Sequence, residues 1–145
     1  MPSNPASSPS PAPIAPSRAR DGNRPAGSLN LALVVGTLSS DPRARLLPSG
    51  STLVQLEMTT AGSPAESVPV VMFDGPTSID SLRAGDEVVV LGRVRRRFFR
   101  AGTVSQSRTE VVADRIVKSA RRRSVAPVVS TARERLDEID SRLTG

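Results

Sequence analysis

The chain has 145 residues, a net charge of +6 and an aromatic content of 2%, made up of Phe73, Phe98 and Phe99 with no Trp or Tyr. A chain of this length supports one modest domain, and its core must be filled by Val, Leu and Ile. Cysteine and histidine are both absent. That excludes disulfides, thiolate or imidazole metal sites, and histidine or Cys/His catalysis.

Residues 1–27 hold seven of the 13 prolines, interleaved with Ser, Ala and Asn. Such a composition buries little and blocks both ladders and helices, so it predicts a disordered arm. No apolar run lies between these prolines, so neither a signal peptide nor a membrane span is expected, and the reading is cytoplasmic.

From Leu29 the texture changes. Leu29–Leu38 alternates as a strand interrupted by Gly36, Asp41-Pro42 marks a turn, and Ser51–Thr60 places Val54, Leu56 and Met58 at period two. The two runs read as a hairpin. Val68–Phe73 is a third strand, with Pro69 pointing to an edge or bulge position. Pro76–Ala84 predicts a short helix with Gly85 as its C-terminal stop. Asp86–Arg97 is the longest strand, Ala101-Gly102 turns the chain, and Arg108–Val117 is the fifth strand. Three strands, a short helix and two strands predict an all-β OB-fold, a five-stranded Greek-key barrel, over residues 28–119.

Residues 120–145 read as a basic linker, Arg121-Arg122-Arg123, followed by a helix from about Thr131. Thr131 and Glu134 have capping-box spacing, and Arg133/Asp137 and Glu138/Arg142 have ion-pair spacing. Ala132, Leu136, Ile139 and Leu143 form its narrow apolar stripe, expected to dock on the β domain or on a second subunit.

The charge is localised. Nineteen of the 20 basic residues are arginine, and residues 93–123 hold ten of these plus Lys118 against Glu110 and Asp114, a net +9. The rest of the chain is mildly acidic. On a strand Arg93, Arg95 and Arg97 project to one face, and permanently charged guanidiniums suit a phosphodiester backbone. Two phenylalanines adjoin this run; arginines supply cations for phosphates while an aromatic supplies a flat surface for a base. Phe98 and Phe99 cannot both face the same groove on a regular strand. Asp80, Asp86 and Glu87 show no spacing that implies paired catalytic acids, and the glycines match no phosphate-loop or dinucleotide pattern. No catalytic, cofactor or metal site is expected.

With the strands placed, Asn30–Val117 resembles the bacterial single-stranded DNA-binding protein family. The matching pieces are Asn30–Leu38, Asp41-Pro42, Gly50, Val70–Phe73, Arg83–Asp86, Gly92–Arg95 with its following aromatic, and Thr109–Val112. The resemblance implies an OB-fold, assembled as a homotetramer, that coats single strands without sequence preference. It also implies that Phe73 and Phe99 are stacking positions, with Arg95 and Arg97 among the basic positions beside them. Ser67 stands where the family often has a tryptophan, and Ala61–Glu66 lacks the family's usual aromatic. The chain ends Arg142-Leu-Thr-Gly145 rather than in an acidic tip with a terminal aromatic, so recruitment of DNA-metabolism proteins by that route is not expected.

The expected nucleic-acid-binding residues are therefore Phe73, Arg93, Arg95, Arg97, Phe99, Arg100 and Arg108. The expected ligand is single-stranded DNA, during replication, recombination or repair, with RNA as a variant ligand. The rival expectation is an OB-fold interaction module that binds strands weakly or not at all and acts as a subunit or adaptor.

Overall fold

The computed structural model describes residues 27–145; the arm expected at 1–27 lies, but for Gly27, outside the described residues. Six strands are present: β1 (Ala32–Leu38), β2 (Arg43–Leu46), β3 (Thr52–Thr60), β4 (Glu66–Phe73), β5 (Glu87–Ala101) and β6 (Val104–Lys118). A 3-10 helix, Thr77–Ser81, lies between β4 and β5, and α1 (Arg122–Thr144) follows β6. The sheet order is β1-β5-β6-β4-β3-β2, and a further β1–β3 pairing makes a ring of five strands with β2 as a spur on β3. All pairings are antiparallel except β4–β6, which is parallel.

The period-two alternation read from the sequence faces the inside of this ring. Val54, Leu56 and Met58 of β3 meet Val70 and Met72 of β4, Val88 and Val90 of β5, and Val111, Ala113 and Ile116 of β6. No phenylalanine takes part, as an aliphatic core requires. Ring closure depends on Gly36, where a Cβ would stand 2.6 Å from the Thr59 carbonyl oxygen. The absent side chain lets β3 reach β1 at Thr37↔Thr59 and Leu38↔Met58. Beyond β1, the Asn30 side chain continues the ladder, its Oδ1 accepting from the Val94 amide (2.8 Å) and its Nδ2 donating to the Val94 carbonyl (2.6 Å).

Four expectations shift. The hairpin expected between Leu29–Leu38 and Ser51–Thr60 is interrupted by β2, which takes the edge of β3 from Thr52 to Gln55. Every residue of β2 is exposed, so its short Arg43-Ala44-Arg45-Leu46 alternation buries no apolar face. The last two strands are longer than expected and run to a turn at Gly102 (φ +69°). The short helix is only a 3-10 turn, and Gly85 (φ +92°) follows it, donating its amide to the Leu38 carbonyl.

The largest shift concerns α1, which starts at Arg122 rather than near Thr131, so the expected basic linker is its first turn. Pro127 inside it removes a backbone donor, and three arginines at its start oppose the helix dipole; both features read as linker. Thr131 is thus mid-helix, where its hydroxyl donates to the Pro127 carbonyl (2.9 Å). Packing overrides propensity. Val128 and Ala132 are buried against Val89 and Leu91 of β5, with Leu31, Val117 and Val125 around them. At roughly 1.5–3 kcal/mol for a fully buried valine, docking outweighs the weak local signals. Of the expected stripe only Ala132 is buried; Leu136 and Leu143 remain exposed. Of the two expected helix ion pairs, Glu138–Arg142 forms at 2.7 Å and Arg133–Asp137 does not. No helix among the described residues is long and apolar enough to cross a membrane.

One irregularity organises the two long strands. Leu91 pairs with Arg115 but Gly92 pairs with Ala113, so Asp114 is an extra residue in β6. A Cβ on Gly92 would fall 2.1 Å from the Val112 carbonyl oxygen and 2.9 Å from Ala113 Cα. Gly92→Ala is expected to destabilise the fold by about 3 kcal/mol, measured by urea unfolding, because backbone rather than a flexible side chain must move.

Candidate nucleic-acid interface

Alternation places the outer face of the ring in register across five strands. Arg43 and Arg45 of β2 stand opposite Gln55 and Leu53 of β3, Leu53 opposite Phe73 of β4, and Glu57 opposite Pro69. Across the parallel step, β6 presents Val112, Glu110 and Arg108 opposite Arg93, Arg95 and Arg97 of β5. Leu53, Val71 and Val112 make a small buried floor on this face, with Leu47 packed against it. Around that floor stand six arginines, Arg43, Arg45, Arg93, Arg95, Arg97 and Arg108, and two glutamates, Glu57 and Glu110.

Six of the seven residues expected from the sequence share this face: Phe73, Arg93, Arg95, Arg97, Phe99 and Arg108. Arg100 does not; one residue beyond Phe99, it projects to the opposite face. The guanidinium of Arg95 lies 5.5 Å from the centroid of the Phe73 ring, and that of Arg97 lies 5.0 Å from Phe99. The two rings therefore flank one arginine row, each with a cation over it.

The centre of the row is Glu110, whose side chain is 1% exposed. Its Oε2 accepts from Arg95 Nη2 at 2.5 Å and from Arg97 Nε at 3.3 Å. A buried carboxylate is tolerable only when paired, and here two guanidiniums share one oxygen. Its Oε1 and the Nε of Arg95 are buried without a hydrogen-bond partner, so the cluster is incompletely satisfied. At the margin Arg108 bridges to Glu57, an exposed pair of small energetic value. Arg93 stands apart, in a cleft with Asn30, Asp114 and Arg135 on the α1 side.

Sequence reading missed Arg43 and Arg45, which extend the basic face across β3, and the position of Glu110 within the arginine row. The signal for the first pair was present as the period-two spacing in Arg43-Ala44-Arg45-Leu46. Glu110 carried no local signal, because its partners are 15 and 13 residues away across a hairpin. No group of three or more His, Cys, Asp or Glu side chains suited to a metal ion occurs among the described residues. No protein-family model matches the chain.

The cluster makes an asymmetric prediction. Arg95→Ala/Arg97→Ala leaves Glu110 buried and unpaired, and is expected to cost about 3–5 kcal/mol in urea unfolding. Adding Glu110→Gln is expected to recover most of that loss, since a neutral amide needs no counter-charge.

Proposed function

We propose that this protein binds single-stranded DNA without sequence preference, on an OB-fold whose outer face carries the strand. The observation that carries the reading is the gathering of Phe73, Phe99 and six arginines on one face of β2, β3, β4, β6 and β5. Taken around the ring, the strands run first, second, third, fifth, fourth and back to the first when β2 is counted as a spur. That order, with a short helical turn between the third and fourth ring strands, supports an OB-fold, and such folds bind oligonucleotides on the face of their second and third strands and adjoining loops. The resemblance of Asn30–Val117 to the bacterial single-stranded DNA-binding proteins supports the same reading, and with it a homo-oligomer, a tetramer by analogy. Arginine rows take phosphates; Phe73 and Phe99 offer ring faces to bases; the apolar floor keeps water from between them.

With two rings on this face, electrostatics must supply much of the affinity. Glu110 and Glu57 offset part of the charge, so the net field of the face is smaller than its arginine count suggests. The same offset, together with the absent aromatics at Ser67 and in Ala61–Glu66, favours the rival reading, an adaptor with weak strand binding. Fluorescence anisotropy of labelled oligo-dT across a salt series separates the two. Strand binding predicts a slope of about −0.7 in log K per log salt for each phosphate neutralised, over several phosphates. Phe99→Ala is expected to weaken binding about tenfold at any salt, the loss of one stacked base. Arg43→Ala/Arg45→Ala is expected to flatten the slope, because each arginine lost is a phosphate no longer neutralised. A flat slope in the native protein, or tighter binding to duplex, overturns the proposal; competition with oligo-U ranks RNA against DNA.

A further inference from the structure

The last part of the β5–β6 hairpin is an arm whose two strands have no other strand beside them. The pairing of β1 with β5 ends at Gly92, and that of β4 with β6 is confined to Val111 and Val112. From Arg95↔Glu110 to Ala101↔Val104 the two strands pair only with each other. One face of the arm continues the arginine row already described. The other carries Arg96, Phe98 and Arg100 from β5, opposite Thr109, Ser107 and Ser105 from β6.

This second face differs from the first in its charge balance. It holds two arginines and no carboxylate, whereas the first face has Glu110 at the centre of its arginine row. Phe98 is 69% exposed, the most exposed phenylalanine of the chain. The Arg96 guanidinium lies 5.2 Å from its ring centroid and donates to the Ser107 hydroxyl at 3.1 Å, which orients the cation over one side of the ring. A two-stranded ribbon with a bare aromatic is an aggregation hazard, and arginines beside it lessen that hazard. Protection alone does not call for the aromatic, which a polar residue at position 98 would make unnecessary.

We propose that this face is a second contact surface for a single nucleic-acid strand, taking a further stretch of the strand held on the first face. The inference rests on the strand-binding reading and extends it. An exposed ring backed by a cation, with a second cation two residues on and hydroxyls opposite, matches a base and its flanking phosphates. The turn at the end of the arm, Ala101-Gly102-Thr103-Val104, has only small side chains at its centre. A strand leaving Phe99 can therefore cross the tip to Phe98, on the reverse of the same ribbon. The arm would then be wrapped rather than merely touched, and the length of strand covered per chain would exceed that of the outer face alone.

The test compares oligo-dT of about 8 nucleotides, within the span of one OB-fold, with oligo-dT of about 30 nucleotides. Phe98→Ala is expected to leave the short strand's affinity within about twofold and to weaken the long strand about tenfold, the loss of one stacked base. Arg96→Gln/Arg100→Gln is expected to reduce the long strand's salt slope by about 1.4, two phosphates' worth, without changing the short strand's slope. Phe99→Ala serves as the contrast and is expected to weaken both lengths. Unfolding midpoints of the Phe98 and Arg96/Arg100 variants should match the native protein, because these side chains are exposed. If the native protein binds both lengths and the variants match it at both, the second face is overturned while the strand-binding reading stands. If the native protein binds neither length, both fall together. A concentration-dependent mass in light scattering that Phe98→Ala abolishes, with strand binding unchanged, would assign the face to a second copy of the chain and overturn the proposal.

Discussion

The bulge between Leu91 and Gly92 is the constraint on which the rest of this structure depends. Side chains alternate along a strand, so one extra residue would reverse the facing of everything beyond it unless a bulge absorbs it. Before the bulge, Ile116 of β6 points into the ring; beyond Asp114 the inward residues are Ala113 and Val111. Were Asp114 instead taken into regular alternation, with no bulge, Val112, Glu110 and Arg108 would point inward and Ala113 and Val111 outward. The bulge thus puts Glu110 beside Arg95 and Arg97 and completes the core in one step. The inserted residue is itself used: Asp114 stands exposed and meets Arg135 of α1 at 3.2 Å. The facing of the β6 core residues, the arginine row and the Asp114–Arg135 contact to α1 trace to the bulge that Gly92 permits.

Glu110 gives that arrangement its electrostatic character. A row of three guanidiniums on one strand repels itself, and long arginine side chains have several rotamers to lose. A buried carboxylate that accepts from two of them offsets the repulsion and fixes their directions. The cost is one negative charge at the centre of the face and two buried polar atoms without partners. The charge arithmetic that reads +9 in residues 93–123 from the sequence therefore overstates the field on the outer face. Three of the six arginines there meet a glutamate, while Arg43 and Arg45 add cations from outside that window.

What could be read in advance followed the range of the forces involved. The strands with inward Val, Leu and Met announced themselves because period two is a local property. Pro69, expected at an edge or bulge, instead lies on an interior strand between β3 and β6, one residue before the β4–β6 pairing begins at Val70. The facing of Arg93, Arg95, Arg97 and Phe99 followed from alternation within one regular strand. β2 escaped notice because it is four residues long and wholly exposed, so its brief alternation of Arg with Ala44 and Leu46 points to no core. The start of α1 escaped because Pro127 and three leading arginines argue locally against a helix, while Val128 and Ala132 are held by β5, far away in sequence. The Glu110 cluster could not be read at all without the hairpin register. Each miss is a case in which a contact across the sheet decided what the local sequence left open or opposed.

The three phenylalanines show how an aliphatic core shapes a surface. The ring is filled by Leu, Val, Met, Ile and Ala, so each aromatic lies at or near the surface, and each has a guanidinium over it at 5.5, 5.2 or 5.0 Å. A ring covered on one side by a cation has one side left for another flat group. A base stacking there leaves the guanidinium in place, behind the ring and close to the phosphates on either side of that base. Under the strand-binding reading, stacking and charge therefore act at the same three points rather than in separate zones. A chain with so few aromatics gains more from this coincidence than one with many, because each ring removed takes away one of only three such points.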